Sequence, residues 1–139
     1  MANKLTVLIT LLPALLMSLF AQAGPVEDAG WQKIADGALL VDVRTEQEYN
    51  SGHLEGAQLI PYQQVVQQFA ARGIPKDQPV VLYCRSGNRA GIAEAALREA
   101  GYTRLFNAGG YQALAASKPA DLANEDSVAC KPAAGEPAC

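Results

Sequence analysis

Pro79-Val80-Val81-Leu82-Tyr83-Cys84-Arg85-Ser86-Gly87-Asn88-Arg89-Ala90 carries the sharpest change of character in the chain. Its first half is short, apolar and rich in valine, the composition of a strand buried on both faces. Its second half is a polar hexapeptide, Cys84 to Arg89, with one glycine in it. Residues 90–100 then read as an Ala/Glu/Leu/Arg helix that stops at Gly101. Strand, polar turn and helix form the repeating unit of parallel α/β sheets.

The same alternation extends in both directions. Upstream, an acidic amphipathic stretch over 26–35 predicts a helix with Trp31 and Ile34 facing inward. The apolar run 38–43 predicts a buried strand. Thr45 follows as an N-cap, with Glu48 in the capping-box position of a short helix over 46–50. A brief strand at 58–60 precedes Pro61, and residues 62–72 repeat apolar side chains at helical spacing before Gly73. Downstream, 104–106 predicts one more strand. Gly109-Gly110 predicts a tight turn into a last helix around 112–116. Strands that are apolar throughout call for a parallel sheet with helices on both faces. The expectation is an α/β domain over residues 24–117.

The segments outside that domain have a different character. Residues 1–4 are weakly basic, 5–20 are almost unbroken apolar, and Ala21-Gln22-Ala23 is a small-x-small box. This pattern predicts a secretory signal peptide over 1–23, and with it a periplasmic location and no stable membrane anchor after cleavage. The apolar run is shorter than the roughly 20 residues a spanning helix needs. Residues 118–139 shift to Pro, Ala, Ser, Asn and charge, which predicts an irregular tail.

The chain of 139 residues has a net charge of −3 and no basic stripe, so nucleic acid and anionic membrane surfaces are not its expected partners. A compact monomer is the default at this size. Its three cysteines are an odd number. In an oxidising compartment that suggests one bridge, Cys130 to Cys139 in the tail, and one remaining thiol, Cys84. The alternative for the tail pair is free or intermolecularly linked thiols.

Chemistry is expected at the loop. Ligands of open α/β sheets bind at the carboxyl ends of strands, so Cys84 is expected at the mouth of that crevice. The loop feeds a helix N-terminus, where unpaired N–H groups and the dipole favour negative charge. Gly87 permits the dihedrals with which amides could turn toward the sulfur as a nest. A free thiol titrates at about 8.5, and such surroundings depress that to about 3.5–7.5. Arg85 and Arg89 add fixed positive charge and suit an oxyanion, and Ser86 and Asn88 offer further donors. A lone cysteine after a strand is more often a small buried hydrophobe. The five polar residues that follow it weigh against that reading.

Four segments in order carry a resemblance: Leu40-Val41-Asp42-Val43-Arg44, Gly52-His53-Leu54-Glu55-Gly56-Ala57, Tyr83 to Ala90, and Asn107-Ala108-Gly109-Gly110-Tyr111. Through them the chain resembles single-domain rhodaneses of the small periplasmic type. The resemblance implies a rhodanese-like fold and a sulfurtransferase. In that reading Cys84 takes the outer sulfur of thiosulfate, holds it as a persulfide, and gives it to cyanide or a thiol acceptor, without metal or organic cofactor. It also implies that Asp42 and Arg44 support the scaffold and that His53 serves the fold rather than the chemistry. Glu55 departs from the resemblance, standing where the family has a proline.

Rival readings fit less well. Rhodanese-like phosphatases and arsenate reductases place one more residue between cysteine and arginine than the four, Arg85 to Asn88, found here. A thiol-disulfide oxidoreductase lacks its second nearby cysteine, and two cysteines with one distant histidine lack zinc spacing. From a different class, a non-turnover sulfur carrier or rhodanese-like binding module is the alternative function.

Overall fold

Four short strands and five helices follow one another in the computed structural model, which describes residues 24–120 and 122. The expected signal peptide, Cys130, Cys139 and nearly all of the expected tail lie outside the described residues. The elements are α1 (Pro25–Ala35), β1 (Leu39–Asp42), α2 (Glu46–Asn50), β2 (Gln58–Leu59), α3 (Val65–Ala71), β3 (Val80–Cys84), α4 (Asn88–Glu99), β4 (Leu105–Gly110) and α5 (Tyr111–Ala116). All strand pairs are parallel, in the order β2-β1-β3-β4. The sheet is the α/β architecture expected from the alternating pattern.

Local chemistry sets the element ends. Pro25 opens α1 with its fixed φ, and Glu27 and Asp28 in the first turn face the positive end of the helix dipole. Thr45 and Glu48 form the anticipated reciprocal capping box on α2. The helix expected over 62–72 enters through a 3₁₀ turn, Tyr62–Gln64, because Pro61 holds the chain extended just before it. α4 begins at Asn88, two residues earlier than its composition suggests, directly after Gly87 at φ +92°. The polar hexapeptide is therefore a three-residue loop, Arg85 to Gly87, between a strand end and a helix start.

Alternation along the central strands builds two cores. Val80, Leu82 and Cys84 of β3 join Val41 of β1 on one face, beneath Phe69 of α3 and Ala93 and Leu97 of α4. Val81 and Tyr83 join Leu40 on the other, beneath Trp31 of α1 and Leu114 of α5. Phe69 meets Tyr102 edge-on at 5.2 Å between ring centroids. Trp31 donates from Nε1 to the Leu114 carbonyl at 3.1 Å, which clamps α5 against α1. No buried side-chain nitrogen or oxygen among the described residues lacks a partner.

Glycine and strand pairing extend β4 beyond expectation. It runs through Gly109 and Gly110 and passes into α5 without a separate turn. The register shifts between Leu82 and Cys84, so that Cys84 stands opposite Gly110. These two glycines are thus part of the sheet edge that backs the loop.

Phe69 has no exposed surface, whereas Val66 on the same helix is 38% exposed. Phe69→Ala is expected to lower unfolding free energy by about 3–5 kcal/mol through transfer and cavity costs. Val66→Ala is expected to change it by less than about 0.5 kcal/mol. Denaturant titrations of both variants check the contrast.

Candidate active site

β2 lies on one side of β1 and β3 on the other, which makes the β1/β3 junction the point where the sheet order reverses. Asp42 at the end of β1 pairs with Tyr83, and Cys84 follows. Arg44, two residues after Asp42, and Arg85, one residue after Cys84, both line an open pocket of ≈ 580 Å³ at this edge. The same wall includes Gln47, Ser51 and Gly52 around α2, and Tyr111 and Gln112 at the start of α5.

The sulfur lies lower than the sequence suggests. Cys84 was expected at the mouth of the crevice, but it is fully buried and belongs to the core cluster with Leu82 and Ala90. The cause is the pairing with Gly110, which carries β3 through Cys84 and keeps its side chain on the face covered by α4. Cys84 is not part of the pocket wall; Arg85 is. One backbone N–H, that of Gly87, donates to Cys84 Sγ at 3.0 Å. This bond needs the left-handed conformation of Gly87, which a side chain there would strain.

The three arginines near the loop have different partners. Arg44 forks onto Asp42, with Nη2 to Oδ2 at 2.6 Å and Nε to Oδ1 at 2.9 Å, and Nη2 also donates to the Gly52 carbonyl at 2.7 Å. Its guanidinium lies 4.4 Å from the Tyr111 ring centroid. Burial alone would lower the Arg44 pKa, but the Asp42 carboxylate outweighs it and the net direction is upward. Burial likewise pushes the Tyr83 phenol up, and its oxygen accepts from the Leu54 N–H at 3.1 Å.

Arg89 is a helix residue and forks onto Glu48 of α2, both bonds 2.7 Å long. Hydrogen bonding to Glu48 raises its pKa against the cost of burial, with smaller electrostatic contributions from Glu48, Cys84 and Asp42. Arg85 is exposed, and its guanidinium makes no hydrogen bond or ion pair with the described residues. Of the three charges, that of Arg85 alone has no carboxylate partner among the described residues. Ser86 and Asn88 are exposed beside it.

His53 stacks on Tyr49 at 3.7 Å between centroids, and its Nδ1 lies 3.0 Å from the Tyr49 carbonyl oxygen. Glu55 pairs with Lys118 at 3.0 Å. Two residues at the site were not singled out for it by sequence. Glu48 was read only as a helix cap, yet the same carboxylate also holds Arg89. Asn107 donates to the Gly87 carbonyl at 2.9 Å and accepts from the Gly109 N–H at 3.0 Å. Its place in the fourth motif segment was the available signal.

Bonding to Arg89, helped by Thr45 and opposed by burial, holds the Glu48 carboxyl at about 2 against an ordinary value of 4.5. The unfolded chain therefore binds the proton more tightly, and stability falls as acid is added. Glu48→Gln is expected to cost about 1 kcal/mol at pH 7, allowing for solvent screening of a pair that is about a quarter exposed. The difference from wild type should shrink as pH falls from about 4.5 to about 2. Unfolding titrations of the two proteins across that range measure it.

The rhodanese-like domain family matches residues 27–117. The thiosulfate sulfurtransferase PspE of Escherichia coli K12 is 37% identical over 78 residues, which cover 56% of this chain and 75% of that protein. A sulfurtransferase of Allochromatium vinosum is 41% identical over 78 residues, covering 55% and 71%. Among solved structures, a rhodanese with anions from E. coli aligns with a TM-score of 0.54 and 35% identity, over 57% of this chain and 93% of that one. Four parallel strands, a cysteine closing the third, and a family match across the described domain lead to one assignment: the chain belongs to the rhodanese-like family.

Proposed function

We propose that the protein is a thiosulfate sulfurtransferase that works through a persulfide on Cys84. The observation that carries this reading is the Gly87 N–H directed at Cys84 Sγ at the foot of a helix N-terminus. That N–H is a donor aimed at the one sulfur that the reaction would use as its nucleophile. The names of the E. coli and A. vinosum relatives point the same way.

The chemistry balances without a cofactor. The Cys84 thiolate attacks the outer sulfur of thiosulfate, a new S–S bond forms, and the old S–S bond breaks with its electron pair leaving on sulfite. The outer sulfur of the resulting persulfide is then attacked by cyanide or a thiolate. Thiocyanate or a new persulfide leaves, and the Cys84 thiolate returns. Arg85 is the residue that meets the incoming oxyanion, because Asp42 and Glu48 already occupy Arg44 and Arg89. Ser86 and Asn88 lie exposed beside Arg85, and the donor sulfur must pass this loop to reach the buried Sγ.

We also place the protein in the periplasm, on the strength of the apolar run and Ala21-Gln22-Ala23 box. Amino-terminal sequencing of the protein recovered from the producing cell checks this; an intact Met1 would reject it.

A thiosulfate:cyanide assay beside mass spectrometry tests the main reading. Wild type should gain one sulfur on Cys84 with thiosulfate and lose it with cyanide, and Cys84→Ser should lose all transfer while keeping its fold. Equal rates for the two proteins would remove the assignment, and sulfur addition without release would mark a carrier instead. Arg85→Ala is expected to raise KM for thiosulfate roughly tenfold with a smaller change in kcat, the effect of losing one charge-assisted contact. Added salt should raise KM more in wild type than in that variant.

A further inference from the structure

The loop rests on β4 with almost no space between the two backbones. A Cβ at Gly110 would lie 2.7 Å from the Arg85 carbonyl oxygen, and one at Gly87 would lie 3.2 Å from the Gly109 Cα. Glycines on both sides allow this approach, but glycine is also the residue with the most freedom to rotate away. Something else must fix the orientation of Gly87.

Asn107 is placed to do so. Its Nδ2 donates to the Gly87 carbonyl, and its Oδ1 accepts from the Gly109 N–H. The two neighbours require opposite roles, so the amide has one orientation that satisfies both. The same Gly87 carbonyl accepts from the Gly91 N–H at 2.9 Å, the first bond of α4. With its carbonyl held by two donors, Gly87 has little freedom left, and its own N–H stays on Cys84 Sγ. Among the described residues, this is the one side-chain hydrogen bond between β4 and the loop.

We propose that Asn107 is a positioning residue of the sulfur-transfer site, fixing Gly87 so that its N–H meets the Cys84 sulfur. The proposal rests on the reading of Cys84 as nucleophile. Asn107 touches neither sulfur nor substrate; it acts through Gly87.

The test is an ultraviolet titration of the thiolate in the full chain, wild type against Asn107→Ala. Each protein is measured against its own Cys84→Ser version, which cancels the signals of Cys130 and Cys139. The titration of Asn107→Ala should move to higher pH, and its alkylation by iodoacetamide at pH 7 should slow roughly three- to tenfold, the scale of one hydrogen bond. Trp31→Phe, which loses a bond on the opposite face of the sheet, should lower Tm and leave the titration in place. If Asn107→Ala does not fold, Asn107→Ser is read in the same way, since its uncharged hydroxyl is too short to bridge both partners. A folded Asn107 variant with the wild-type titration would overturn the proposal. The titration needs no sulfur donor, so a protein inactive with thiosulfate would fail the functional reading while this measurement still decides the role of Asn107.

Discussion

Parallel pairing of β1 with β3 is the constraint on which the rest of the molecule depends. It sets Asp42 beside Tyr83 in register, and so brings two arginine-bearing segments to one edge of the sheet. Because β2 and β3 lie on opposite sides of β1, no strand fills the space above that edge. The opening is a consequence of strand order, and the loops and helix starts that follow the strands wall it. The apolar alternation along β1 and β3 makes this pairing strong, since a slip of one residue would turn both cores inside out.

Charge around the pocket is then apportioned by pairing. Three arginines crowd the site, yet two are held by carboxylates that the fold supplies from β1 and α2. Burying Arg44 with Asp42 is costly for each ion alone and tolerable for the pair, because a fork of hydrogen bonds answers most of the polar atoms. The result is a wall of two charge-balanced pairs, with Arg85 exposed on the loop beside it.

Much of this was legible in the sequence because it is local. Val80 to Tyr83 could hardly be anything but a buried strand, and Thr45 with Glu48 announced a helix start that the structure reproduces. The family resemblance, resting on four ordered segments, was legible for the same reason. What the sequence hid depends on contacts between distant residues. The partner of Arg89 is forty-one positions away, and no periodicity links them. The burial of Cys84 follows from β4 running on to Gly110, whereas a pair of glycines in isolation reads as a turn. Asn107 gave no signal beyond its motif, because an asparagine that ties a strand to a loop has the same composition as one on a surface.

The carboxylate of Glu48 caps α2 and also grips Arg89 on α4, so a single side chain answers to two helices. Positions 45, 48 and 89 therefore form one connected hydrogen-bond unit. A graft that imported α2 from a relative lacking the matching arginine would strand a negative charge and loosen the start of α4. Any library or chimaera built on this scaffold has to treat those three positions as one unit of variation.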